Sequence, residues 1–151
     1  MATGQVSSIT GDTWQLISTT TMAGATSYTV SSLTGYKTLM VAVEDCVKSV
    51  SDYLIFRLNG VSNAGKYAGR GGITGYYYLS GNASAASAGA FTIYDVNQSA
   101  PHSLEIPGYT GTVNELAMYL DPTPITSFTI TSDGGTATLN SGTIKVYGIA
   151  A

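Results

Sequence analysis

Charged side chains are scarce in this sequence. Only 10% of its 151 residues are Asp, Glu, Lys or Arg, nine acidic and six basic, for a net charge of −3. The basic residues form no cluster that would hold phosphate groups, so we expect no nucleic-acid partner. No apolar run reaches the roughly 20 residues that cross a bilayer, and no basic stretch followed by an apolar one opens the chain. We therefore expect neither a membrane segment nor a signal peptide.

Cysteine and histidine occur once each. Cys46 alone excludes an intramolecular disulfide and any site with several cysteine ligands, and we interpret it as a small buried side chain. His102 would have to serve any Ser-His-Asp triad, but no Gly-x-Ser-x-Gly elbow accompanies it. Because a zinc site needs three or four ligands, we expect no metal site and interpret His102 as an ordinary residue at a strand edge.

The carboxylates are spread along the chain, and no pair stands out. Glu44 and Asp45 are adjacent, which would point them to opposite faces of a strand. Hydrolysis of a glycosidic bond needs two facing carboxylates. The sequence does not select two from Asp45, Asp52, Asp95, Glu105, Glu115 and Asp121. The glycine-rich stretch at residues 69–72 lacks a strand-loop-helix context for a phosphate. We expect neither an enzyme nor a cofactor.

The residues that are abundant favour β-structure. Gly, Ser and Thr account for 56 of the 151 residues, and Val, Ile, Thr and Tyr dominate the segments between turns. Period-two patterns predict strands at residues 14–20, 27–31, 38–45, 52–58, 75–79, 90–94, 102–107, 113–119, 127–131 and 142–149. Without helices between them, about eight to ten strands predict an all-β fold with a single antiparallel β-sandwich, of which the jelly roll is the commonest form.

Turn chemistry separates the predicted strands. Asn59-Gly60 is a strong hairpin signal because both residues tolerate positive φ, and Asp133-Gly134-Gly135 is a second candidate, joining residues 128–131 to 136–139. Residues 80–89, rich in Ala, Ser and Gly, predict an exposed loop or a small-residue turn against a neighbour. Residues 1–12 are polar and unpatterned, which predicts an N-terminal arm before a domain at residues 13–151.

Tyrosine is the one enriched residue that points to recognition, with 11 copies. The run Tyr76-Tyr77-Tyr78 would place Tyr76 and Tyr78 on one face of a strand and Tyr77 on the other. Three interpretations stay open: cross-strand packing, a subunit interface and a glycan site. The candidate interface residues are Tyr76, Tyr77 and Tyr78, with Gln5, Val6 and Ile9 of the arm. The candidate glycan contacts are Tyr67, Arg70 and Tyr109, together with Tyr76 and Tyr77.

Seven local patterns, in order and spacing over nearly the whole chain, resemble a family of structural proteins from tailed-phage virions. The closing Gly-Thr-Ile and Tyr-Gly-Ile elements are the most specific. The patterns are Trp14-Gln15-Leu16-Ile17, Tyr36-Lys37-Thr38-Leu39, Phe56-Arg57-Leu58-Asn59-Gly60, Tyr67, Leu104-Glu105-Ile106-Pro107-Gly108-Tyr109, Ile125-Thr126-Ser127-Phe128-Thr129-Ile130 and Ser141-Gly142-Thr143-Ile144-Lys145-Val146-Tyr147-Gly148-Ile149.

This resemblance implies a non-enzymatic virion protein with a jelly-roll-like domain and no catalytic residues. Such proteins decorate and cement capsids or form fibre domains, often as trimers. We therefore expect a homotrimer that binds the major capsid protein or other virion proteins, on the particle surface and at the head rather than the tail. The alternative is a tail-fibre or receptor-binding domain that recognises host glycan.

Overall fold

The computed structural model describes residues 13–69, 75–107 and 115–151. Within these ranges the chain forms eleven strands and one turn of 3-10 helix at Ala64–Lys66. The strands are β1 (Gln15–Thr21), β2 (Ser27–Val30), β3 (Tyr36–Lys48), β4 (Asp52–Leu58), β5 (Tyr67–Ala68), β6 (Tyr77–Ala83), β7 (Ser87–Tyr94), β8 (His102–Ile106), β9 (Glu115–Tyr119), β10 (Phe128–Ser132) and β11 (Leu139–Ala150).

Two antiparallel sheets pack against each other. One has seven strands in the order β1-β11-β3-β7-β8-β9-β5, and the other has four in the order β2-β10-β4-β6. The predicted all-β antiparallel sandwich is confirmed. No helix in the described part of the chain is long and apolar enough to cross a membrane.

The core lies between the two sheets and follows the period-two pattern. In β4, Leu54, Phe56 and Leu58 are fully buried, and they point inward. The ring of Phe56 stacks on that of Phe91 of β7, with centroids 3.8 Å apart and an interplanar angle of 3°. Phe91 also meets Phe128 of β10 edge to face at 5.6 Å. These three rings join β7 of the larger sheet to two strands of the smaller one.

Every predicted strand overlaps an observed one, and β5 was missed. Two residues carry no readable period, so β5 is invisible to pattern analysis. The longest strands, β3 and β11, extend several residues beyond their predicted bounds. A bulge lies near residue 45 of β3, where Asp45 has φ of +52°, and it breaks the alternation that predicts a strand.

Both predicted hairpins are wrong, although the predicted turns form. Asn59 and Gly60 have φ of +50° and +68°, but the chain then crosses to β5 in the other sheet. The turn at residues 133–135 likewise leads from β10 to β11 across the sandwich. Asp52 accepts a hydrogen bond from the Gly134 N–H at 3.0 Å, which holds this turn against β4. Turn residues therefore fix the local reversal, while packing decides which strand is paired.

Of the two alternatives for residues 80–89, the exposed loop is wrong, since most of the stretch belongs to β6 and β7 and only residues 84–86 turn between them. Gly89 explains why small residues are needed in this stretch. A Cβ atom at Gly89 would lie 2.3 Å from the carbonyl oxygen of Leu79 and 2.7 Å from its Cγ. The two strands therefore cross at a distance that only glycine permits.

We predict that Gly89→Ala lowers the free energy of unfolding by about 3 kcal/mol, because the added methyl group meets backbone. Gly134→Ala is the matched control, since the nearest atom to its Cβ would be the Asp52 carboxylate at 3.3 Å. That control should change stability by less than about 0.5 kcal/mol. Denaturant unfolding of both variants tests the close crossing, and equal effects would contradict it.

Asn59 ties the connection between β9 and β10 to the end of β4. Its side-chain oxygen accepts hydrogen bonds from the N–H groups of Thr126 at 2.8 Å and Ser127 at 3.2 Å. Its amide donates to the carbonyl oxygen of Pro124 at 2.9 Å. One side chain thus satisfies three backbone groups of a connection that crosses between the sheets.

We predict that Asn59→Ala costs about 2–3 kcal/mol, the sum of the lost hydrogen bonds and of strain at positive φ. Asn59→Gly loses the same hydrogen bonds without that strain, so it should fall between Asn59→Ala and the natural sequence. Thermal or urea unfolding measures both. A glycine variant no more stable than the alanine variant would show that backbone strain contributes nothing here.

Candidate interaction surface

Two of the candidate tyrosines lie in the core. Tyr77 has no exposed surface, and Tyr67 is 3% exposed. Their rings meet edge to face at 5.1 Å, and Tyr67 also meets Tyr119 at 5.2 Å. The expectation that Tyr67 contacts glycan and that Tyr77 lies at an interface is therefore wrong. The rings fill the space between the sheets beneath β5 and β9.

Backbone acceptors explain why phenols are tolerated in this core. The Tyr77 hydroxyl donates to the carbonyl oxygen of Met118 at 2.7 Å. The Tyr67 hydroxyl donates to the carbonyl oxygen of Val61 at 2.6 Å and accepts from the Leu58 N–H at 3.1 Å. Desolvation raises the pKa of Tyr67, and it raises that of Tyr77 more strongly. Both residues act as core anchors.

Tyr76 and Tyr78 lie on the outer side of the four-stranded sheet, opposite to Tyr77 as the alternation predicts. Their rings meet edge to face at 5.5 Å, and the Arg57 guanidinium lies 5.6 Å from the centroid of Tyr76. Tyr78 also meets Tyr53 at 5.0 Å. Tyr76 is only 7% exposed, so most of its surface is used within the chain. Cross-strand packing thus accounts for much of the tyrosine run.

The other candidate contacts lie outside the described residues. They are Gln5, Val6 and Ile9 of the predicted arm, with Arg70 and Tyr109.

The outer face of the seven-stranded sheet carries large apolar side chains that the sequence interpretation missed. In β9, Ala117 and Tyr119 point into the core, while Leu116 and Met118 point outward and are 79% and 44% exposed. At the opposite edge Leu16 of β1 is 57% exposed. A strand that is apolar on both faces was the available signal, because antiparallel strands usually carry polar residues on the solvent side.

A row of cross-strand neighbours crosses six of the seven strands of this face, from the edge strand β1 to β9. Successive register pairs connect the six outward-facing residues of the row. They are Leu16 of β1, Tyr147 of β11, Met40 of β3, Thr92 of β7, Glu105 of β8 and Leu116 of β9. We call these six residues the outer row. It contains a single charge.

Charges near the outer row are few and engaged. The Tyr94 hydroxyl donates to the Glu105 carboxylate at 2.6 Å, and this hydrogen bond raises the pKa of Tyr94. Lys145 pairs with Glu44 at 2.7 Å, which lowers the pKa of Glu44 and raises that of Lys145. The few charges of this face are therefore engaged within the chain, and exposed apolar groups lie on β1 and β9.

An open cavity of about 420 Å³ lies beside the exposed β9 residues. Leu116 and Met118 border the cavity. The remaining lining residues, most of them small, are Ala68, Gly69, Ser103, Leu104 and Ala117. The cavity is of a size and polarity that accept an apolar side chain from another molecule.

His102 and Cys46 both have the surroundings of structural residues. His102 is fully buried, with its ring nitrogens 3.0 Å from the Asp95 carbonyl oxygen and 2.8 Å from that of Thr123. Its interpretation as an ordinary strand-edge residue missed this burial. Cys46 is also fully buried, and burial raises its pKa, which disfavours a reactive thiolate. Residues 13–69, 75–107 and 115–151 contain no group of three or more His, Cys, Asp or Glu side chains suited to a metal ion.

Comparison with known proteins gives no match, either to models of protein families or to curated sequences.

We predict that the buried phenols stay protonated until the chain unfolds. With their pKa raised above the ordinary value of about 10, the folded state keeps protons that the unfolded state releases. Their contribution to stability is thus intact below about pH 10 and falls as the pH rises further. Spectrophotometric titration should show part of the phenolate signal appearing only with loss of near-ultraviolet circular dichroism. Complete ionisation of a still-folded chain would contradict the placement of Tyr67 and Tyr77.

Proposed function

We propose that this protein is a non-enzymatic structural component of a phage particle, a decoration protein that binds and stabilises the assembled shell. The observation that carries the proposal is the outer face of the seven-stranded sheet. It is wide, its charged groups are paired or hydrogen-bonded within the chain, and it carries exposed apolar side chains on β1 and β9, as surfaces buried between proteins do. The resemblance of the sequence to virion proteins points the same way.

We further infer a jelly roll for eight of the strands. The strand orders of the two sheets support this inference: four neighbouring strands are ordered β1-β11-β3-β7 in the larger sheet, and the smaller sheet is ordered β2-β10-β4-β6. A jelly roll distributes eight strands over two sheets through two Greek keys, so consecutive strands often change sheet. Strands β5, β8 and β9 are then additions that widen one sheet and carry the exposed Leu116 and Met118.

Stabilisation would follow from mass action. A protein that binds only the assembled shell shifts the assembly equilibrium by its binding free energy. Several weak contacts made by one oligomer combine through effective concentration. In this proposal the chain associates with itself, as a homotrimer in the form that the resemblance implies, and with the major capsid protein. Its place is the particle surface, at the head rather than the tail.

A receptor-binding role is the competing proposal, and the burial of Tyr67 and Tyr77 weakens it. Two of its five candidate glycan contacts cannot reach a ligand in this fold. Arg70 and Tyr109 lie outside the described residues, and Tyr76 is almost covered.

We predict that antibody-gold labelling of intact particles places this protein over the head. Shells that lack it should lose their contents at lower temperature, and adding the purified protein should restore their stability. A variant without its first ten residues tests whether the predicted arm is needed for occupancy, with circular dichroism as the control for folding. Gold confined to the tail, or shells of unchanged stability, would contradict the decoration role.

A further inference from the structure

We propose that the outer face of the seven-stranded sheet is the contact between two copies of this chain, packed face to face about a two-fold axis parallel to the strands. The proposal rests on the proposed function for its biological setting. It assigns this face to self-association through a two-fold contact, in place of the trimer that the resemblance implies, and leaves binding of the shell to other surfaces. Its evidence is the order of side chains along the outer row, which is complementary to its own reverse.

The two-fold axis passes between β3 and β7, at the middle of the outer row. Rotation about this axis lays β1 of one copy over β9 of the other, and the reverse, so every contact occurs twice. Leu16 then faces Leu116 of the second copy. Met40 faces Thr92, and Tyr147 faces Glu105. The apolar ends of the row meet each other.

The neighbouring row obeys the same rule. Trp14 lies two residues before Leu16, so the alternation places it on the same side of the sheet, and its side chain is 41% exposed. At the other edge of that row Ser103 pairs with Met118. The rotation therefore brings Trp14 over Met118, beside the open cavity that Ala68 and Gly69 help to line. The indole ring of Trp14 would thus lie against an open cavity whose lining includes several small residues.

Charge selects this axis over the other two-fold arrangement. An axis perpendicular to the strands along the same row would place Glu105 against Glu105 of the second copy, which opposes like charges. The parallel axis places Glu105 against the hydroxyl of Tyr147 instead. One Glu105 oxygen already accepts the Tyr94 hydroxyl at 2.6 Å, and a second phenol would satisfy the other. The carboxylate is then hydrogen-bonded on burial.

The size of the face sets the expected affinity. Six strands spaced by about 4.8 Å span roughly 24 Å, and packed sheets lie about 10 Å apart. The outward side chains of β11, from Thr143 to Ile149, extend it by roughly 20 Å along the strands. A face of roughly 24 Å by 20 Å covers about 480 Å², well below the roughly 800 Å² per partner of standard interfaces. We therefore expect a dissociation constant in the micromolar range.

The single tryptophan provides a direct test in the purified chain of 151 residues. Sedimentation should show monomers and dimers in a concentration-dependent equilibrium. The fluorescence emission of Trp14 should shift to shorter wavelength over the same concentration range, because the indole becomes buried. Leu116→Lys should weaken dimerisation at least tenfold. Val50→Lys is the matched control: Val50 is 53% exposed but lies between β3 and β4, away from this face, and should leave dimerisation unchanged.

A charge-pair experiment tests the axis itself. Leu16→Lys and Leu116→Glu should each weaken self-association when studied alone. In a mixture, the parallel axis places the introduced lysine against the introduced glutamate at one end and keeps the natural Leu-Leu contact at the other. Mixed dimers should therefore form more tightly than either variant alone, and salt should reduce the gain.

Three results would overturn the inference: a monomer at all accessible concentrations, a trimer whose stability is unaffected by Leu116→Lys, or no preference for mixed dimers. None of them would decide the proposed function, which is judged by gold labelling and shell stability. Conversely, a dimer with the expected Leu116 dependence but no binding to particles would support this contact and contradict decoration.

Discussion

The stacking of Phe56 on Phe91 is the contact on which the sandwich depends. One ring belongs to the four-stranded sheet and the other to the seven-stranded sheet, and their parallel contact sets the two inner faces against each other. Phe128 meets the same ring edge to face, so the smaller sheet is held at two adjacent strands. With this core in place, small residues such as Gly89 are required where strands cross closely, and polar residues such as Asn59 satisfy the connections between sheets.

Local patterns predicted the strands well and their partners poorly. Alternation in β4 and β10 marked both strands nearly to the residue, because a half-buried strand has a period that the sequence displays. The partner of a strand depends on long-range packing, which no short window contains. The turns after β4 and β10 show this difference: their backbone conformations followed from Asn-Gly and Gly-Gly, yet both connections change sheet.

The candidate surface was predicted less well than the fold. Tyrosine drew attention because it is abundant, but Tyr77 and Tyr67 find backbone acceptors and serve the core. Leu116 and Met118 lie within a predicted strand, and an apolar residue in a strand is ordinarily assigned to the interior. Only the placement of Ala117 and Tyr119 on the inner side reveals that these two side chains face solvent. The location of this surface depends on the strand order, which no local pattern contains.

The pairing of β11 between β1 and β3 has a consequence for synthesis of the chain. The last strand fills the gap between the first strand and the third, with Gly148 opposite Gln15 on one side and Leu39 on the other. Until β11 has been made, the larger sheet lacks an inner strand, and β3 presents an open edge of 13 residues. Because open edges of this kind pair readily with other chains, the nascent protein is exposed to misassembly until β11 takes its place.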